Sequence, residues 1–433
     1  MQMIAIYIYM VALAGVFVLA FFLTHLFSRL LTTARWLSTQ ITRFFAYHFV
    51  IGRHRLIGPW TASSLVVHML YIVSNGVCLC HRSGSLSVAA SRAGTLSLAN
   101  LAPVILGIHL SFLADVVGVS LRTCRRIHRS CGLMATFLLL AHGLFKLFQK
   151  PSFSFSDWPS RYAAMGLLAA VSIILVSLFQ LRRFSYELFL RLHQSLSIFF
   201  IFCVLTHIDS VEKKNWTWLP VIVFAGCFCF ISVSQLIIIV YRNKAWHEPS
   251  PRMVVRQNHG YIEATLNLPR TIRFLPGQYI VVWVPSVSLF ESHPFMVTSW
   301  SPTGQKRIRL LIKPREGFTD KLLRRSKSDA EGYIAHRVFF SGPHGRSAPV
   351  TECKAVVIFA EGNGLSAVLA HVKKLIHHYK TGKGRTKRIH LIWLVHSEDE
   401  IKAKEDYINE ILVDDGLENG YVLLPINDFE EWL

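Results

Sequence analysis

The sequence has 433 residues, 52% of them apolar and 12% aromatic, with 46 Lys and Arg against 26 Asp and Glu, a formal net charge of +20. That length allows two or three folding units. The positive charge does not signify nucleic acid, because no nucleic-acid motif accompanies it and many arginines occupy short loops between apolar runs, where they set membrane topology.

The apolar content is uneven. Residues 1–245 hold long apolar runs, whereas residues 250–433 alternate short strands and turns, so a membrane half is joined to a water-soluble half. Stretches long enough for a helix to cross about 30 Å of hydrocarbon fall near 4–27, 61–80, 98–121, 131–148, 162–181, 186–208 and 217–241. The first has too long an apolar region for a secretory signal, and it lacks a basic leader and a small-residue cleavage site. It reads as a span. Seven cysteines (Cys78, Cys80, Cys124, Cys131, Cys203, Cys227 and Cys229) lie in or beside this half and form no CxxC pair; they read as small apolar residues.

Seven spans put the termini on opposite sides. With residues 242–433 cytoplasmic, the inner loops hold twelve basic residues, from Arg29 and Arg35 through Arg122–Arg129 to Arg182, Arg183 and Arg191. The outer loops hold seven, among them Arg82, Lys146 and Lys213. The excess favours a cytoplasmic C-terminal half. The sequon Asn215-Trp216-Thr217 then lies outside, close to the membrane.

The fourth span contains His128 and His142, and the sixth contains His193 and His207. Each pair is separated by 14 residues, which brings the second histidine to within about 40° of the first and about 21 Å along the helix. With one helix between them, the two spans run in the same direction, so His128 is expected to face His193 and His142 to face His207. Imidazoles from facing helices supply both axial ligands of a haem iron, and two levels make a ladder of two haems. Intramembrane ionisable residues lean functional. Lone examples such as His25, His68 and His109 read instead as buried hydrogen-bonding groups, and Asp115 as a local partner of adjacent arginines.

In the soluble half, Pro276-Gly277-Gln278-Tyr279 reads as a turn entering a strand, followed by His293-Pro294-Phe295-Met296-Val297-Thr298-Ser299. Gly317-Phe318-Thr319 then opens a helical run with a threonine cap, whose free amides suit a pyrophosphate. Next comes the strand Ala355–Ala360, the loop Gly362-Asn363-Gly364-Leu365-Ser366 and a helix, the order that nucleotide phosphates need. Singly, each signal also fits an ordinary turn. Their order suggests a small β-barrel with a flavin site, then a doubly wound unit with a nicotinamide nucleotide site.

Taken together, these motifs resemble the ferric reductase and NADPH oxidase superfamily, most closely the fungal-type ferric-chelate reductases. The two H-x13-H pairs match its haem ligands, and Arg126-Ile127-His128-Arg129 with Gly132 is similar to its HRxxG entry. Pro276–Tyr279 and His293–Phe295 resemble its FAD signature, and Gly317–Thr319 its pyrophosphate loop. Gly342-Pro343-His344-Gly345 resembles its GPYG junction with His344 for tyrosine, and Gly362-Asn363-Gly364-Leu365 its NADPH loop.

The resemblance implies a membrane α-helical bundle over 1–245, a FAD-binding β-barrel domain over 250–347 and a partial NADPH-binding α/β domain over 350–433. It implies a path from NADPH to FAD, then to two b-type haems held by His128, His142, His193 and His207, then to ferric iron chelates beyond a plasma membrane. Met296 stands where the family has a flavin-bonding threonine or serine; Thr298 and Ser299 are the substitutes. The sequence ends 69 residues after Gly364, before the family's late cysteine–glycine–proline segment. A superoxide-producing oxidase and a truncated, non-catalytic haem protein are the competing readings.

Overall fold

The computed structural model describes residues 59–149, 156–178, 185–211, 215–289, 291–326 and 334–416, with short stretches between residues 30 and 52 and between 422 and 428. The expected span at 4–27, with His25, lies outside the described residues. Among the described residues six helical segments are long and apolar enough to cross a membrane. In chain order the helices are α1 (Ala62–Cys80), α2 (Leu86–Ile105), α3 (Leu110–Val117), α4 (Leu121–Gln149), α5 (Trp158–Leu178), α6 (Tyr186–Val211) and α7 (Asn215–Asn243). α2 and α3 form one span, Leu86–Val117, joined by a 3-10 turn over Leu106–His109 just after Pro103. A proline inside a helix removes a backbone donor, so the local tightening is expected there.

Two spans begin earlier than hydropathy suggests. The span expected at 98–121 starts at Leu86, because Ala, Ser and Gly over 86–97 lower the hydropathy while remaining helical. α4 starts at Leu121 rather than 131, since arginines over 122–129 mask a continuous helix. Large side chains such as Val67, Ile198 and Phe230 are well exposed on these helices, as lipid-facing positions require.

The chain divides into two compact units, residues 1–98 with 134–204, and residues 99–133 with 205–433. In the first unit α2 packs antiparallel to α4: Ser97 Oγ donates to the Ala135 carbonyl at 2.9 Å, and His142 reaches the Ala90 carbonyl. α5 meets α6 where Gly166 lies against Cys203, and the short strands β1 (Phe49–Ile51) and β2 (Trp60–Thr61) pair antiparallel.

The second unit holds the soluble half. One antiparallel sheet has the order β7-β4-β3-β8, made of β3 (Arg252–Asn258), β4 (Tyr261–Ile272), β7 (Gln305–Ile312) and β8 (Ile334–Arg337). A second has the order β6-β5-β9, made of β5 (Tyr279–Trp283), β6 (Ser292–Met296) and β9 (Phe339–His344). The expected barrel is not closed: among the described residues no ladder joins the two sheets. Pro269 sits where the β4–β7 register shifts, between Asn267 and Ile272, and a proline cannot donate to a ladder. The sheets enclose a shared core that includes Met253, Ile262, Phe274, Ile280, Leu310 and Phe340. A short helix, α8 (Phe318–Ser326), adds Phe318 and Leu322 to it.

The last segment is α/β, with β10 (Ala355–Glu361), α9 (Leu365–Lys380), β11 (Arg388–Val395), α10 (Glu398–Lys402), α11 (Glu405–Asp415), β12 (Val422–Leu423) and β13 (Ile426–Asp428). β10 pairs in parallel with β11, which pairs in parallel with β12 and β13. Its core, built on Leu369, Leu375, Leu391 and Trp393, also takes Tyr261 and Leu311 from the first sheet.

Candidate functional site

The four span histidines lie on α4 and α6, and two of them have hydrogen bonds that fix their tautomers. His142 Nδ1 lies 2.8 Å from the Ala90 carbonyl. A carbonyl only accepts, so Nδ1 carries the hydrogen and Nε2 keeps its lone pair. His193 Nδ1 lies 3.3 Å from Ser177 Oγ, whose own hydrogen goes to the Ile173 carbonyl at 2.7 Å. Ser177 therefore accepts, and His193 is set in the same tautomer. A donor bond that fixes the tautomer and ring orientation is a feature of metal-ligating histidines.

Space for the rings comes from glycines that the sequence reading did not single out. A Cβ on Gly94 would lie 3.0 Å from His142 Nδ1, and one on Gly107 would lie 2.8 Å from His128 Cε1. The imidazole chemistry of these side chains is of the kind that ligates haem iron. Of the lone span histidines, His109 is buried and His68 half-buried, and both are hydrogen-bonded. His68 Nδ1 bonds the Ser64 carbonyl at 2.7 Å, and buried His109 meets Gln235 and Ser232.

The structure brings the flavin motifs onto one sheet. Tyr279 pairs with Met296 on one side and His344 on the other, and Val282 pairs with His293. Gly277 has φ +80°, and its added Cβ would meet His371 of α9 at 2.8 Å, so the Pro276-Gly277 turn requires glycine twice over. Gln278 fixes the turn by accepting from Leu275 N at 2.8 Å and donating to the Gly345 carbonyl at 3.0 Å. The His293 ring stacks on Phe318 with centroids 4.4 Å apart, and Phe295 packs on the same ring. That contact joins His293-Pro294-Phe295 to Gly317-Phe318-Thr319.

One expected side-chain role changes. Thr319 is not a cap: it lies inside α8, and its hydroxyl donates to the Arg315 carbonyl and accepts from Arg315 N in the turn that precedes the helix. Thr298 is fully buried and donates to the Arg309 carbonyl, whereas Ser299 Oγ accepts from Arg309 N and keeps its own hydrogen to give.

Sequence reasoning missed the seam that binds this sheet to the ends of two spans within the same unit. Asp115 stands in the last turn of α3, where the helix dipole disfavours an acid. It does not pair with the adjacent arginines there. Instead its carboxylate meets His344 Nδ1 at 2.6 Å and accepts from Gly345 N at 2.9 Å, and His344 Nε2 meets Ser341 Oγ at 3.0 Å. Tyr279 donates to Ser111 Oγ at 2.9 Å; burial, with Asp115 adding to it, pushes its hydroxyl above the ordinary tyrosine value despite the Ser111 bond. At the end of α7, Asn243 donates to the Phe340 carbonyl at 2.7 Å and accepts from Phe340 N at 3.0 Å, while Arg242 donates to the Gly342 carbonyl.

The nucleotide loop follows β10 as a 3-10 turn, Gly362–Gly364, leading into α9. Gly362 has φ +49°, and a Cβ there would lie 3.1 Å from Glu400 Oε1. Its carbonyl is held by Trp393 Nε1 and Lys404 Nζ, each at 3.0 Å. Lys404 pairs with Glu400 at 2.9 Å, and Tyr261 donates to Glu400 at 2.6 Å; all three are buried. Burial would raise Glu400, but the bonds from Tyr261 and Lys404 outweigh it and hold the carboxyl below its usual value. Leu365 is buried, and the Ser366 hydroxyl donates to the Asn363 carbonyl at 2.6 Å, which tightens the turn. Asn363 Oδ1, by contrast, is a buried acceptor with no hydrogen-bond partner among the described residues. That orphaned atom fits a loop that receives a ligand donor.

A helical membrane segment with oriented histidines, continuous with a flavin-type pair of sheets and a nucleotide-type α/β segment, defines a transmembrane oxidoreductase. Residues 93–204 match the ferric reductase like transmembrane component, 252–348 an FAD-binding domain and 353–422 the ferric reductase NAD binding domain. The chain belongs to the ferric reductase family. It is 24% identical over 344 residues to the probable cell surface ferric reductase kap2 of Aspergillus oryzae, covering 72% of this chain and 44% of that protein. It is 25% identical over 296 residues to ferric reductase transmembrane component 3 of Saccharomyces cerevisiae, covering 66% and 40%. The chain thus spans less than half the length of these relatives. A solved ferredoxin-NADP+ reductase from Plasmodium falciparum aligns with a TM-score of 0.33 and 14% identity over 44% of this chain and 75% of that one.

Proposed function

We propose that this protein is a ferric-chelate reductase, passing electrons from NADPH through FAD and two b-type haems to ferric iron chelates across a plasma membrane. The domains are 1–245, 250–347 and 350–433, with the last two cytoplasmic. When bound, flavin divides a hydride into single electrons and haem iron carries them one at a time.

The chain's own residues perform the holding and orienting. His128, His142, His193 and His207 would hold the haem irons, and the Ala90 carbonyl and Ser177 hydroxyl orient the rings of His142 and His193. The Pro276–Tyr279 turn, the His293–Phe295 strand, Thr298, Ser299 and the start of α8 at Gly317–Thr319 would hold the flavin. The Gly362–Ser366 turn offers Asn363 Oδ1 to the nucleotide. The observation that carries the reading is the placement of two histidine pairs, His128/His142 and His193/His207, each 14 residues apart on one continuous apolar helix.

NADPH supplied to inside-out vesicles should produce ferrous chelate. Superoxide without iron reduction would replace this reading with the oxidase. A pyridine-haemochrome assay should find two b-type haems per chain, one lost in His128→Ala and one in His142→Ala.

A further inference from the structure

We propose that a basic cavity between the flavin sheet region and α9 binds a phosphate-bearing anion, presented either by an anionic lipid headgroup or by a soluble phosphate compound. The cavity has a volume of about 230 Å3 and lies within the second unit. Arg273 and Trp300 line it from one side, and Lys374, His377, His378 and Lys383 from the other.

Three observations carry this. First, the cations converge from separate elements. Basic residues near the end of α9 complement its dipole, but that does not account for Arg273, which comes from the loop after β4. Second, among the described residues Arg273, Lys374 and Lys383 form no ion pair, so the cavity's positive charge is uncompensated. His378 registers this: burial, then Lys374, His377 and Lys383, lower its pKa, and no carboxylate acts against them. Its Nδ1 is buried without a hydrogen-bond partner among the described residues. Third, the cavity is tied to a membrane exit. Arg270 donates to the Lys244 carbonyl at 3.1 Å and lies over the Tyr241 ring at the end of α7. Arg273 is three residues further on, within roughly 10 Å by chain reach. Trp300 meets His377 edge-on at 5.4 Å, and tryptophan suits a membrane–water interface. A phosphate placed among these cations would gain charge-assisted bonds.

The full chain, purified in neutral detergent, would be tested with two probes: inorganic phosphate by calorimetry, and mixed phosphatidylserine and phosphatidylcholine by native mass spectrometry of retained lipid. Selective retention of phosphatidylserine identifies a headgroup, and saturable phosphate binding identifies a soluble anion. Either supports the site provided it weakens by roughly fivefold per cation removed, the equivalent of about 1 kcal/mol per basic residue at a charged surface. Lys374→Gln should show one such step, and the triple variant Arg273→Gln/Lys374→Gln/Lys383→Gln about a hundredfold. Unchanged binding in Lys374→Gln, or no saturable binding of either probe, overturns the proposal. Neither readout depends on electron transfer, so a failed reductase reading leaves it intact.

Discussion

Replacing Gly107 with alanine tests the histidine geometry most directly. The new Cβ would sit 2.8 Å from His128 Cε1 and 3.0 Å from Nδ1, against an optimum of about 3.5–4.0 Å between carbon atoms. A ring free of iron can rotate aside, whereas a ring fixed as an axial ligand cannot. The strain should therefore fall on haem binding rather than on folding. Overpacking of this kind costs about 1–3 kcal/mol, or roughly five- to 150-fold in affinity at 1.36 kcal/mol per decade. Gly94→Ala should act on His142 with a smaller effect near the bottom of that range, because its contact is 3.0 Å. Gly76→Ala and Gly226→Ala are the controls: both glycines lie in spans with nothing within 4 Å of an added Cβ. The assay is haem per polypeptide by pyridine haemochrome, with a redox titration to separate the two levels. Two full haems with unchanged Soret bands in both Gly107→Ala and Gly94→Ala would refute the reasoning.

Three other outcomes are expected. Asn243→Ala leaves Phe340 N and its carbonyl without their side-chain partner, at about 1–3 kcal/mol for each buried group left unpaired; thermal melting of the full chain should fall and bound flavin should be lost more readily. Lys404→Met leaves Glu400 buried without its cation and should destabilise the nucleotide segment by about 3–5 kcal/mol, measured by limited proteolysis across denaturant. In the unmodified protein Glu400 is held below its ordinary value of 4.5, so its contribution is present above that pH and lost as pH falls through the lower folded value. Stability measured against pH should decline on the acid side, and Tyr261→Phe, which removes one of the bonds holding Glu400 low, should flatten that decline.

The membrane half was legible where chemistry repeats with a helical period. The 14-residue spacing of His128/His142 and His193/His207 needs only the helix to be continuous, and α4 and α6 are. Span boundaries were less legible, because hydropathy registers side chains while the helix depends on the backbone. The arginines over 122–129 and the small residues over 86–97 both lower hydropathy without interrupting hydrogen bonding. Gly94 and Gly107 gave no signal either, since a glycine that makes room for a ring on another helix looks like any other glycine in sequence.

In the soluble half, local motifs were legible and their long-range partners were not. Tyr279, His293–Phe295 and Gly342–His344 stand on adjacent strands of one sheet, but their order alone did not show that Asp115, some 229 residues earlier, would meet His344. An acid at a helix C-terminus inside a span was the available clue. Its unfavourable interaction with the helix dipole called for a distant donor, and nearby arginines were the wrong candidates because they begin the next helix, beyond the turn at Gly118. The same logic applies to Lys404 and Glu400: an i,i+4 pair reads as a solvated surface bridge, yet here it is buried under Tyr261 and holds the glycine-loop carbonyl. Polar residues whose local setting is unfavourable therefore mark where separate segments of this chain are fastened, and the flavin and nucleotide motifs are positioned by those fastenings as much as by their own turns.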